Sequence, residues 1–332
     1  MTKTFLLTLC LLIASAPGLL GVEPPTVSTF SIVGIDPANG DLGVAVASRY
    51  FSVGSVVPWA MAGVGAVATQ ANVNVGYGQQ AIDLLRQGLT AQQVLARLLA
   101  EDNFPAKEAR QVAIIDAKGN VAVHTGPNAT PWAGDRHGST WSAQGNILAG
   151  PQVVEAMGRA FESTQGELAE KLFAALKAGD DAGGDARGRQ SASLLVVRKQ
   201  GGRNINNDRY VFINVDDNPQ PIPELRRLLD LNLAYLHAGA ADRLRQSGDR
   251  KAALEAARKA ARYGPGISYV RGMLGFLEYL SGDKEAALRE LRAAQAIEPD
   301  FKKQLETVLA TRPDLQGLKA DKELLDKLFP PQ

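Results

Sequence analysis

The chain has 332 residues, 45% of them hydrophobic, which is more than one ordinary domain needs and enough for a core in each of two. Its 36 Lys and Arg against 35 Asp and Glu leave a net charge of +1, so no global field draws it to nucleic acid or an anionic membrane, and a small-molecule or peptide substrate is the better expectation. One cysteine and three scattered histidines, His124, His137 and His237, exclude disulfides and a histidine-built metal site, and no cofactor is indicated.

The chain opens with one positive charge, Lys3, and then FLLTLCLLIASAPGLLG, an apolar run of about a dozen residues followed by small ones near Ala14 and Ala16. Residues 1–25 therefore read as a signal peptide cut somewhere between 16 and 25. The protein is expected to be exported, periplasmic or extracellular, with no membrane anchor in its mature form. Cys10 lies inside the apolar run, so the mature chain would carry no thiol.

TFSIVGI, DPANGD and LGVAVAS then predict a β-hairpin turning at Asn39-Gly40, and VGSVVPWAMAGVGAVATQ predicts two further strands. Helices are predicted at Tyr77 to Arg86 and from Thr90, a candidate N-cap, to Ala100. QVAIID, AKGN and VAVHTG predict a second hairpin. SAQGNILA and SASLLVVRK follow as strands around one helix at Gln152 to Gly179. This order predicts an α+β fold with antiparallel sheets over residues 26–221.

Beyond about Leu225 the β signals give way to Ala, Leu, Arg and Glu. GDRKAAL at Gly248 and GDKEAAL at Gly282 recur 34 residues apart, as do Pro265 and Pro299. That period is the tetratricopeptide signature, so 222–332 is predicted to be an all-α array of stacked helix pairs. Flanking helices at Ile222 to Leu236 and Asp314 to Leu328 would complete it, Pro219, Pro221 and Pro223 would form a stiff linker into it, and a protein or peptide could dock on it.

No nucleophilic elbow, phosphate loop or zinc-protease helix occurs. With so few histidines, the remaining chemistry is a hydroxyl nucleophile that brings its own base. An α-amine titrates near 7.7 to 8.0, close to ideal for a general base at neutral pH, so a chain-terminal Thr or Ser needs no histidine.

The strand TFSIVGIDPANGDLGVAVASR is where such a residue would sit, and it is similar to the start of the DUF1028 family, an uncharacterised group classed with the N-terminal-nucleophile (Ntn) hydrolases. The resemblance continues through SVVPWAMAGVGAVATQA, PWAG at Pro131 to Gly134, AQGNILAG at Ala143 to Gly150, GGDARGRQSASLLVV at Gly183 to Val197 and VDDNPQPIPELRRLLDL at Val215 to Leu231. It covers residues 29 to 231. It implies a four-layer αββα sandwich with Thr29, as possible nucleophile, opening the first strand of one sheet.

Thr29 also reads simply as a β-branched residue starting a strand. As a nucleophile it would need a second cut at Ser28-Thr29, because signal cleavage before Pro25 leaves its amine in a peptide bond. No lysine lies between Lys3 and Lys107, so Arg49 is the nearest cation, placed to stabilise an oxyanion or hold a carboxylate. Asn146 could donate an amide N–H to an oxyanion or merely shape a strand end. Gln70, His124 and the loop residues Asp185, Arg187 and Arg189 are the substrate-binding candidates, with His124 read as half-buried rather than as a base. Two functions follow: an exported amidohydrolase of Ntn type, or a non-enzymatic envelope binding protein that keeps the sandwich as a scaffold.

Overall fold

The computed structural model describes residues 29–129 and 131–330; the expected signal peptide lies outside them. The first hairpin pairs β1 (Thr29–Asp36) with β2 (Asp41–Ser48), and Gly40 at φ 76° closes its turn. Next come β3 (Pro58–Met61), β4 (Gly65–Ala71), the helices α1 (Gly76–Arg86) and α2 (Ala91–Glu101), and the hairpin of β5 (Arg110–Asp116) with β6 (Val121–Thr125). Thr90 caps α2 in a capping box with Gln93. Then follow β7 (Ala133–His137), β8 (Trp141–Asn146), α3 (Gln152–Ser163), α4 (Leu168–Asp181), β9 (Ser191–Val197) and β10 (Arg209–Val215). The single helix expected at Gln152 to Gly179 is thus two. Thr164 is extended and Gly166 sits at φ 115°, which folds α4 back against α3.

Two antiparallel sheets result, one ordered β10-β9-β2-β1-β8-β7 and one β3-β4-β5-β6. Strand periodicity sorts their residues. Phe30 and Ile32 of β1 and Ala143 of β8 share a core with Val153, Met157 and Phe161 of α3 and Leu172 and Leu176 of α4. Val33, Ile35, Leu42, Val44 and Val46 instead meet Ala66, Ala68, Ala113 and Ile115 of the second sheet. The far face of that sheet, with Val67, Val112 and Ile114, packs on Tyr77, Leu85, Val94 and Leu98 of the first two helices. Helix, sheet, sheet and helix therefore follow one another, and β1 lies at the centre.

Of the three prolines expected as a linker, Pro219 precedes the helix and the other two start it. Pro221 and Pro223 occupy the first turn of α5 (Pro221–Gln246), where a missing N–H costs nothing. This helix serves two cores: Leu225, Leu229 and Leu233 pack with the large sheet, whereas Ala238 and Ala241 pack with α6 (Arg250–Tyr263) and α7 (Ser268–Leu280). The chain continues through α8 (Lys284–Ile297), α9 (Phe301–Thr311), α10 (Gln316–Ala320) and α11 (Lys322–Leu328). The sequence repeat has a local structural counterpart. Asp249 and Asp283 each accept from the backbone N–H three residues on, at 3.0 and 2.8 Å, after Gly248 and Gly282 at φ 89° and 94°. Ala287 is fully buried where α8 meets α7, and a Cβ added at Gly275 would lie 3.3 Å from its carbonyl oxygen. Ala287→Leu should overpack this contact by about 1 to 3 kcal/mol and lower the melting temperature accordingly.

At the middle of α5, His237 lies 2.8 Å from Glu167, which precedes α4, and stacks on Tyr263 with centroids 5.7 Å apart. Tyr210 donates to the other Glu167 oxygen at 2.6 Å. Burial opposes ionisation of Glu167, but the His237 and Tyr210 contacts outweigh it and hold the carboxyl at about 2, against an ordinary 4.5. A depressed carboxylate stabilises the fold above its unfolded pKa and loses that contribution as pH falls. The stability difference between wild type and Glu167→Gln, measured by urea unfolding, should therefore shrink from about pH 5 down to about pH 2, by roughly 3 kcal/mol or less.

Candidate functional site

The space between the sheets changes character along β1. Its inward positions run Thr29, Ser31, Val33, Ile35: the last two meet the apolar core, whereas the first two meet amides. β4 and β5 change in step, with Gln70 beyond Ala66 and Ala68, and Gln111 before Ala113 and Ile115. β8 adds Gln144 and Asn146 in register with Ser31 and Thr29. All of these polar residues are buried, and an amide in such a place needs partners.

Thr29 Oγ1 lies 3.2 Å from Ser48 Oγ, and Thr29 pairs with Ser48 on one side and Asn146 on the other. The Gln70 amide nitrogen donates to the Thr29 carbonyl at 3.2 Å and to Gln111 Oε1 at 2.8 Å, while Ser31 donates to Gln70 Oε1 at 2.6 Å. The Asn146 amide nitrogen reaches the same Gln111 oxygen at 3.1 Å. Thr29, Gln70 and Asn146, separate in sequence, are thus brought together. Gln111, Gln144, Ser31 and Ser48 complete the group and were not singled out from sequence. The available signal was phase: Gln111 stands at the inward period that continues through the apolar Ala113 and Ile115.

Backbone strain marks the same place. Ala71, directly after Gln70, has φ 66°, and Ile147, directly after Asn146, has φ 51°. A β-branched residue in the left-handed region is a true outlier, and such strain concentrates at functional sites.

The charged loop is placed differently from the amides. Asp185 bridges to Leu148, accepts from the Arg49 backbone at 2.8 Å, and pairs with Arg187 at 3.0 Å. The loop therefore ties the end of β8 to the end of β2 across the start of β1. The Arg49 guanidinium is exposed and donates to the Arg187 carbonyl. Arg189 pairs with Asp180 at 2.6 Å. Asp180, Gly183, Asp185, Gly188, Arg189 and Pro219 line a cleft of about 270 Å³. Gly184 stands against Phe30, on the helix side of β1, whereas Thr29 faces the second sheet.

His124 is not part of the cluster. It shares its face of β6 with Ala122, toward the helices, whereas Thr125 faces the amides. Burial pushes its imidazole below the ordinary value, opposed by the charge of Asp135. Among the described residues no group of His, Cys, Asp and Glu could hold a metal ion, and no helix is long and apolar enough to cross a membrane.

The family model described as "Family of unknown function (DUF1028)" matches residues 29–225, more than half of the chain. The crystal structure of protein SPO2555 from Silicibacter pomeroyi, described with the same family, is 30% identical, with a TM-score of 0.55 over 61% of this chain and 84% of that one. No curated protein matches.

Proposed function

The chain belongs to the DUF1028 family, and we propose that it is an exported Ntn-type amidohydrolase with Thr29 as nucleophile. The observation that carries this reading is a threonine opening the central strand with its hydroxyl side among buried amides. The helix–sheet–sheet–helix order supports an Ntn-like sandwich, and the 34-residue repeat supports a tetratricopeptide-like array for protein or peptide contacts.

Once processing frees its amine, Thr29 Oγ attacks the amide carbonyl while the amine takes the hydroxyl proton and passes it to the leaving nitrogen. The C–N bond breaks and an ester on Thr29 remains for water to hydrolyse. Asn146 offers an N–H to the developing oxyanion, a role worth roughly 3 kcal/mol elsewhere. The full burial of Thr29 favours the second reading, an envelope binding protein in which Thr29 is structural.

Secretion from a bacterial host, N-terminal sequencing and treatment with a β-lactone separate the two. The enzyme reading expects Thr-Phe-Ser-Ile at the terminus and one lactone mass per chain. A chain that starts ahead of Pro25 and takes no lactone overturns it and leaves the binding protein. Met1 still present would overturn export.

A further inference from the structure

We infer that Asp135 is a positioning residue that acts through Thr125 and Gln111 to fix the amides of Asn146 and Gln70 beside Thr29, an inference that rests on the hydrolase reading above. Backbone carbonyls only accept, and this sets every amide in the chain. Gln111 turns its NH₂ to the carbonyls of Gly145 at 2.9 Å and Gly134 at 3.3 Å, and to Thr125 Oγ1 at 3.0 Å. Its Oε1 then faces the opposite way and needs donors, which are the Gln70 and Asn146 amide nitrogens. With Gln70 so turned, its own oxygen accepts from Ser31.

At the outer end Thr125 accepts from Gln111, so its hydrogen is left for Asp135 Oδ2 at 3.1 Å. Asp135 is half-buried, and its other oxygen lies 3.8 Å from the exposed His137 Nδ1. Donors from Ser31 through Gln70, Gln111 and Thr125 all point toward Asp135. A carboxylate accepts and does not donate, so it holds the Thr125 hydrogen outward, keeps Thr125 Oγ1 an acceptor for Gln111 and reinforces the direction the carbonyls set, since aligned bonds of this kind strengthen one another. An Asn146 amide turned the other way would set its Oδ1 against Gln111 Oε1. The correct setting turns the Asn146 amide nitrogen, not its oxygen, toward Gln111.

The test uses the processed full-length protein, the rate of β-lactone acylation at Thr29, and the Asn146 side-chain amide resonance, assigned by its loss in Asn146→Asp. Thr125→Val and Asp135→Asn should each slow acylation about fivefold, the worth of one hydrogen bond, and shift the Asn146 resonance. Thr125→Ser, which keeps the hydroxyl, should restore both. An unchanged acylation rate and an unchanged resonance in Thr125→Val and Asp135→Asn overturn the inference. If the wild type takes no lactone, the hydrolase reading fails by itself. The resonance then decides the chain, and an unshifted Asn146 signal in Asp135→Asn overturns it.

Discussion

Thr29→Ala should abolish lactone acylation while the far-ultraviolet spectrum and cooperative unfolding persist. The hydroxyl it removes has Ser48 as a neighbour at 3.2 Å, so the stability change should be about 1 kcal/mol, the net worth of an ordinary hydrogen bond. The chemical loss is total because no other residue near Gln70, Gln111 and Asn146 has both a hydroxyl and an α-amine. Thr29→Ser keeps both groups and should retain measurable acylation. A non-cleavable extension ahead of Thr29 should act like alanine, since an amine in a peptide bond is no base. Arg49→Lys should change the rate only modestly, because the guanidinium is exposed and engaged with a loop carbonyl. Full acylation in Thr29→Ala would place the reacting group elsewhere.

The hairpin of β1 and β2 and the capped start of α2 were both legible because each depends on a few neighbouring residues. Asn39-Gly40 makes a turn and Thr90 with Gln93 makes a capping box whatever the rest of the chain does. β7 escaped notice because AGDRH has weak strand propensity, and it exists as an edge strand held by β8. The proline run misled for a similar reason. Pro221 and Pro223 suit a linker and a first helical turn equally, and only the leucines that α5 lays on the large sheet decide between them.

The site was half visible. Thr29, Gln70 and Asn146 drew attention through motifs, but nothing in their spacing shows that they converge from two sheets. Convergence is set by register, Thr29 opposite Asn146 in one sheet and Gln70 opposite Gln111 in the other, and register is a tertiary outcome. The charged loop showed the opposite bias. Asp185, Arg187 and Arg189 look like recognition residues in sequence, yet Arg187 pairs with Asp185 and Arg189 with Asp180, and Asp185 braces the ends of β2 and β8.

The largest loss of stability is expected from Arg110→Met. Arg110 and Asp102 are almost wholly buried and meet at 2.9 Å, with Tyr77 donating to the same carboxylate oxygen at 2.7 Å and the Phe104 backbone to the other at 2.9 Å. Burial works against the Asp102 charge, but Arg110 and the other donors outweigh it and hold the carboxyl below its usual range. Methionine fills similar volume and strands that charge, a change that typically costs 3 to 5 kcal/mol. The double variant Arg110→Met with Asp102→Leu should recover most of this, because no charge is then left unpaired. The effect should also reach the site. Arg110 donates to the Asn72 carbonyl at 2.7 Å, just beyond the strained Ala71 that follows Gln70, and it precedes Gln111. Without that clamp Ala71 can relax, and lactone acylation should remain slow in the double variant even though stability returns. Urea unfolding and acylation of the three proteins test the two effects separately, and a double variant that recovers both would limit Arg110 to its ion pair.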